Sequence, residues 1–176
     1  MLEPETIDSE GQFLAVVNEN RPRILRICHA YAWEAEDRKD LYQEVLFQIW
    51  RSLPNLKEAA HANTWLYRIA LNTAISFSRR QKVRRQRTVD CDHQQIVELA
   101  DANPRAEADA DPRLAALHRA IAALDELERA IVTMFLEDLS YEQIAEVTGL
   151  TSSNVGVRLH RARKKLSLLM EDSRHE

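Results

Sequence analysis

Residues 140–166, SYEQIAEVTGLTSSNVGVRLHRARKKL, decide how the chain folds. Two short helical patterns meet there at a glycine. Ser140 is placed to cap the first helix, with Gln143 three residues on to return a bond to the free backbone N–H. Ile144, Ala145 and Val147 then face inward. Gly149 falls where the chain must reverse through a cramped or left-handed backbone, and Thr151 offers a second N-cap. From Ser152 onward Val155, Leu159, Ala162 and Leu166 recur at spacings of four, three and four, which places them on one face of a single helix. The opposite face carries Ser153, Asn154, Val157, Arg158, Arg161 and Lys165, and no acidic residue lies between Thr151 and Met170. The pattern is a helix-turn-helix. Short polar side chains at the front of its second helix, with arginine and lysine behind, suit the base edges and flanking phosphates of a duplex major groove. The competing reading is a helical hairpin with a solvated basic face. The capping pair, the small Ala145 at the helix crossing, the glycine turn and the one-signed second helix coincide in one span and favour the groove. Gly156 costs on the order of 1 kcal/mol relative to alanine inside a helix. It either lets the backbone approach DNA closely or has no role.

Composition agrees with an all-helical chain. Three glycines and five prolines among 176 residues, with 45% hydrophobic residues, favour helix, and the length fits one domain or two small ones. No stretch reaches the roughly 18 apolar residues of a membrane span, and residues 1–10 are acidic rather than a basic signal segment. A cytoplasmic location without membrane insertion is expected. The net charge of −4 conceals segregation, with basic clusters at 79–87 and 158–165 and an acidic stretch between them. A polyanionic partner responds to that local field, not to the total. Two cysteines, Cys28 and Cys91, are too few for a disulfide framework. Cys28 reads as a small core residue. Cys91 with His93 offers only two ligands in a polar segment, so neither a metal nor any other cofactor is called for.

Residues 12–33 form an amphipathic run through Phe13, Val16, Val17, Ile24, Ile27, Cys28 and Tyr31, with Pro22 either starting a second helix or kinking the first. From Asp37 to Leu53 a buried stripe of Leu41, Val45, Ile49 and Leu53 recurs every four residues. The other faces hold Asp40, Gln43, Glu44, Phe47, Gln48, Trp50 and Arg51. Large rings off the core stripe either dock a partner or pack on another helix of the same domain. Pro54 ends that helix, and 55–63 reads as a loop leading into a helix over 64–80. Leu66, Ile69, Ala70 and 73–77 give this helix an inward face, while Trp65, Arg68, Asn72, Arg79 and Arg80 lie partly elsewhere. Six of the nine residues 79–87 are basic, which attracts phosphates and makes binding salt-dependent. Basic residues beside Trp65 and a polar loop also suit an unstacked single strand. A core tryptophan and a basic helix end that complements its own dipole are the plainer alternatives.

Residues 88–112 change character, with seven acidic residues, one arginine, Pro104 and Pro112, and read as a flexible linker. Its charge either keeps it off DNA or lets it lie against a basic groove. Helical patterns over 114–123 and 126–136, with Ile121, Leu124, Leu127, Ile131 and Phe135 as core candidates, complete a small bundle with the helix-turn-helix. The expected division is a helical domain over 9–87, the linker over 88–112 and a second helical domain over 113–172.

In this order the chain resembles a bacterial sigma factor of the extracytoplasmic-function type, the minimal group of the sigma-70 family with only regions 2 and 4. The resemblance covers about 12–170 and rests on DLYQEVLFQIW at 40–50, TWLYRIALN at 64–72 followed by Arg79 and Arg80, and LSYEQIAEVTGLTSSNVGVRLHRARKKL at 139–166. Two departures bear on promoter choice rather than membership: Ser76, where the family often has an acid, and Asn154–Val157, where it often has a threonine-valine pair followed by polar residues. The resemblance implies that Asp40, Gln43, Glu44, Phe47, Gln48, Trp50 and Arg51 belong to the helix that docks on the clamp helices of RNA polymerase's largest subunit. It implies that Lys57, Asn63, Trp65, Arg68, Asn72, Arg79 and Arg80 serve the opened −10 element, where a flipped base costs a few kcal/mol of stacking. Ser153, Asn154, Val157, Arg158, Arg161 and Lys165 would read the −35 element as duplex. The further partners it implies are the polymerase flap and an anti-sigma factor, with the linker threading toward the polymerase active centre and no catalysis by the chain itself. Two rivals differ in class. A stand-alone helix-turn-helix regulator would bind duplex without polymerase, usually as a dimer. A metal-dependent sensor or nucleic-acid enzyme would use Cys28, His29, Cys91 and His93, but no catalytic spacing supports it, and a zinc assay on the purified chain tests the metal directly.

Overall fold

The computed structural model describes residues 4–56, 62–89 and 112–172, and every regular element among them is helical. The order is α1 (Pro4–Tyr31), α2 (Ala35–Ser52) running into a 3₁₀ turn at Leu53–Asn55, α3 (Ala62–Val89), α4 (Pro112–Ala122), α5 (Glu126–Leu136), α6 (Tyr141–Thr148) and α7 (Ser152–Asp172). The first three helices pack on one another, and the last four gather around α7.

Periodicity explains the first bundle. Leu41, Val45 and Ile49 of α2 are wholly buried against Ile24 and Ile27 of α1 and Leu66, Ala70 and Ala74 of α3, in one apolar cluster. Each large aliphatic side chain removed from water there contributes about 1.5–3 kcal/mol. Pro54, at the start of the 3₁₀ turn, ends the α2 pattern as expected. Two boundaries differ from the sequence reading. Helix α1 neither restarts nor breaks at Pro22 and encloses it as one element from residue 4. Core residues on both sides of the proline, Val17 before and Ile24 and Ile27 after, share one buried face, so tertiary packing outweighs the missing N–H. Helix α3 begins at Ala62 and continues past Arg80 to Val89, because no Gly or Pro interrupts the basic run. Its last two residues therefore lie inside the stretch read as linker, as does Pro112 at the start of α4.

In the second bundle local chemistry sets the helix ends. Ser140 Oγ accepts from Gln143 N at 3.2 Å, and the Gln143 side chain accepts from Ser140 N at 2.8 Å, a complete capping box. Gly149 closes α6 with φ +75°, its N–H donating to Ala145 O at 2.8 Å, and Thr151 Oγ1 accepts from Asn154 N at 3.2 Å to open α7. Asp125 caps α5 by accepting from Glu128 N at 2.8 Å. Val155, Leu159 and Ala162 are buried against Ile131, Met134 and Ile144, which fixes the rotation of α7 and hence which of its faces meets solvent. Replacing Ser140 by alanine is expected to cost about 1 kcal/mol, since the Gln143 N–H loses the hydroxyl that accepts from it while the bond from the Ser140 N–H to the Gln143 side chain remains. A thermal melt followed by circular dichroism checks this, and an unchanged Tm would remove the cap from the account of the turn.

The two bundles touch. Helix α3 packs on α6, and α1 on α4 and α5, so the buried apolar cluster runs through both.

Candidate nucleic-acid and partner interfaces

Burying the stripe of α2 turns its remaining residues outward. Phe47 is 59% and Trp50 42% exposed, with Asp40, Gln43 and Arg51 also exposed and Glu44 and Gln48 half-buried at the margins. Trp50 is not left hanging, because its ring meets Phe13 of α1 edge-on with centroids 5.2 Å apart. The result is an apolar ridge with a charged border, set on a rigid helix. Glu44 is already engaged within the bundle, accepting from Arg80 of α3 at 2.6 and 2.7 Å. Thus one candidate for partner docking and one for strand capture bind each other.

Helix α3 carries the second candidate face. Asn63, Arg68, Asn72, Arg79 and Arg80 are exposed, whereas Trp65 is half-buried and packs on the core. Asn63 Oδ1 accepts from Arg23 at 3.2 Å. Lys57 lies outside the described residues. Arg68 and Arg79 both reach the second bundle. One Arg68 guanidinium nitrogen donates to the backbone oxygen of Glu146 at 2.6 Å, and Arg79 holds the Glu126 carboxylate through three contacts of 2.5–3.0 Å. Hydrogen bonds from Arg79 hold the Glu126 carboxyl below the usual carboxylate range, and Glu126 in turn raises Arg79.

The third face is the outward side of α7. Ser153, Asn154, Val157 and Arg161 are exposed along one side, with Arg158 half-buried beside them. The buried Nε of Arg158 has no hydrogen-bond partner among the described residues. Lys165 sits on the same side, but its Nζ donates to both carboxylate oxygens of Glu128 at 2.9 and 2.7 Å, and that carboxylate is only 6% exposed. Lys165 thus neutralises a buried acid of α5, and its ammonium has a structural task besides any contact outside. Gly156 packs beside Tyr141. An alanine methyl there would meet the ring at 3.4 Å, so internal space does not demand a glycine.

Sequence reasoning passed over the acids that meet these arginines. Glu126 and Glu146 lie far along the chain from Arg79 and Arg68, as does Glu137 from Arg26 of α1, with which it pairs, and no periodicity signals such contacts. The metal-sensor reading fares poorly at Cys28, whose thiol is pushed up to about 12 by burial and so stays protonated. Among the described residues no three His, Cys, Asp or Glu side chains gather to hold an ion. Cys91 and His93 lie outside the described residues. No described helix is long and apolar enough to cross a membrane.

Known proteins share this arrangement. The family models for Sigma-70 region 2 and Sigma-70 region 4 match residues 16–84 and 114–166. The chain is 30% identical over 170 residues to the RNA polymerase sigma factor SigV of Bacillus subtilis, covering 93% of this chain and 95% of SigV. It is 31% identical over 153 residues to the ECF RNA polymerase sigma factor SigE of Mycolicibacterium smegmatis, covering 86% of this chain and 58% of SigE. The sigma factor RpoE of Bartonella quintana, solved with the anti-sigma factor NepR, has the same fold, with a TM-score of 0.67 at 21% identity over 93% of this chain and 97% of RpoE. Such proteins catalyse no reaction; they direct RNA polymerase to promoters, and a stand-alone regulator is not favoured. The chain belongs to the sigma-70 family, as a transcription initiation factor of the extracytoplasmic-function type built from regions 2 and 4.

Proposed function

We propose that the three exposed faces divide the work of initiation. The outward side of α2, from Asp40 through Gln43, Glu44, Phe47, Gln48 and Trp50 to Arg51, docks on the clamp helices of core RNA polymerase. The 57–63 segment and α3 capture the melted −10 strand through Lys57, Asn63, Trp65, Arg68, Asn72, Arg79 and Arg80. Helix α7 reads the −35 duplex with Ser153, Asn154, Val157, Arg158 and Arg161, and Lys165 assists from its place on Glu128. The second bundle also meets the polymerase flap. An anti-sigma factor holds the protein inactive in the cytoplasm.

The observation that carries this division is the exposure of Phe47 and Trp50 on a helix whose other side is fully sequestered. A chain that needed only to bind duplex would have no use for that ridge. Run-off transcription with sigma-free core polymerase over a genomic promoter library tests the reading as a whole. Defined start sites sharing two spaced elements are expected. Duplex binding by a dimer without polymerase, and no start site with it, would favour a stand-alone regulator instead.

A further inference from the structure

Helix α7 meets solvent with polar or basic side chains at every exposed position of 152–165 except one. Val157 is apolar, and it is 49% exposed. It lies in a row with Ser153 and Arg161, four residues to either side, opposite the core stripe of Val155, Leu159 and Ala162. The neighbouring row runs through Gly156, His160 and Lys164, and its first position carries no side chain.

Beside Gly156 stands a ring. A Cβ built on Gly156 would lie 3.4 and 3.7 Å from Cε2 and Cδ2 of Tyr141. Tyr141 is the first residue of α6, behind the Ser140 cap, and is 38% exposed. Phe135 backs it with ring centroids 6.4 Å apart, and Arg163 stacks over Phe135 at 4.5 Å, so the tyrosine is held in place. Those distances leave room for alanine, which is the better helix former, so the fold gains nothing from glycine here. The bare backbone instead opens space on the outside. Between the Tyr141 ring edge and the Val157 methyl groups it leaves a shallow apolar recess, in a surface with no acidic residue between Thr151 and Met170.

A DNA duplex offers one small apolar group to such a recess. All four bases present hydrogen-bonding atoms in the major groove, and thymine alone adds a methyl group. We propose that Gly156, Val157 and Tyr141 form a specificity pocket for the 5-methyl group of one thymine in the −35 element. Gly156 lets the helix approach closely enough for the methyl group to enter, Val157 packs on it, and Tyr141 walls the far side. Ser153, Asn154, Arg158 and Arg161 then serve the neighbouring base pairs and phosphates through hydrogen bonds. This reading of one base rests on the assignment of α7 to the −35 duplex, and it adds Gly156 and Tyr141 to the residues that choose the promoter.

The test is run-off transcription by core polymerase carrying the full chain, on templates randomised across the −35 element. Templates enriched by the wild type are expected to share a thymine at one position of either strand. Deoxyuridine in its place removes the methyl group and keeps every hydrogen-bonding atom. At limiting protein it should lower run-off about fourfold, the factor that burying one methyl group supplies. Val157→Ala should make the thymine and uracil templates nearly equal. Gly156→Ala should lower use of the thymine template several-fold while Tm holds or rises, an effect on reading that a loss of fold cannot produce. An enriched set without a fixed thymine, equal wild-type run-off from thymine and uracil templates, unchanged discrimination in Val157→Ala, or undiminished run-off by Gly156→Ala would each overturn the pocket. The variant Arg158→Ala with Arg161→Ala separates this from failure of the −35 assignment. If only the pocket is wrong, that variant still loses −35-dependent run-off; if α7 does not read the duplex, it transcribes as the wild type does.

Discussion

Removing both arginines from the outer side of α7, Arg158→Ala with Arg161→Ala, is expected to lower transcription from −35-dependent promoters by on the order of 30-fold or more, taking about 1–3 kcal/mol for each well-made base contact. Binding to core polymerase should not change. The expectation follows from the rotation of α7, which is fixed by Val155, Leu159 and Ala162 in the core and so holds the opposite side toward solvent. Arg161 is exposed and its loss costs little fold. Arg158 is half-buried, so a companion variant, Asn154→Ala at an exposed position, separates groove contact from packing. Loss of polymerase binding together with promoter activity in the double variant would mean misfolding, and undiminished transcription with both variants would remove α7 as the reading helix.

Phe47→Ala should weaken association with core polymerase by at least about 30-fold, the scale of an aromatic anchor worth 2 kcal/mol or more at an interface. Phe47 is the better choice than Trp50 because it is 59% exposed, whereas Trp50 also supports Phe13 inside the molecule. Its truncation should therefore leave Tm unchanged while recovery in a polymerase pull-down collapses. Full recovery would dismiss the docking face, and a parallel fall in Tm would show that the ring serves the fold.

The second bundle was largely legible in the sequence because short-range chemistry specifies it. The Ser140 and Gln143 cap, the Gly149 turn and the Thr151 cap each depend on residues within four positions, and all are present. The stripe on α2 was legible for a related reason, since a period of four on a helix needs no knowledge of its neighbour. Two elements resisted. The continuity of α1 through Pro22 is decided by what Ile24 and Ile27 pack against, not by the proline's own preference. Lys165 read as one more cation on a basic helix, because nothing local indicates that the buried Glu128, 37 positions earlier, claims it. The seam between the bundles was invisible altogether. Arg68 and Arg79 had a sufficient explanation in nucleic acid, and nothing local ties them to residues 146 and 126, 78 and 47 positions away.

Two of the bonds across that seam, from Tyr31 and Arg68, terminate on main-chain oxygens of residues 126 and 146. A peptide carbonyl is supplied by any amino acid, so substitution on the acidic side can erase the carboxylates yet leave these acceptors standing. Divergent members of such a lineage could therefore keep their halves together while the visible charges drift, and a search for the contact by matching side chains would overlook them.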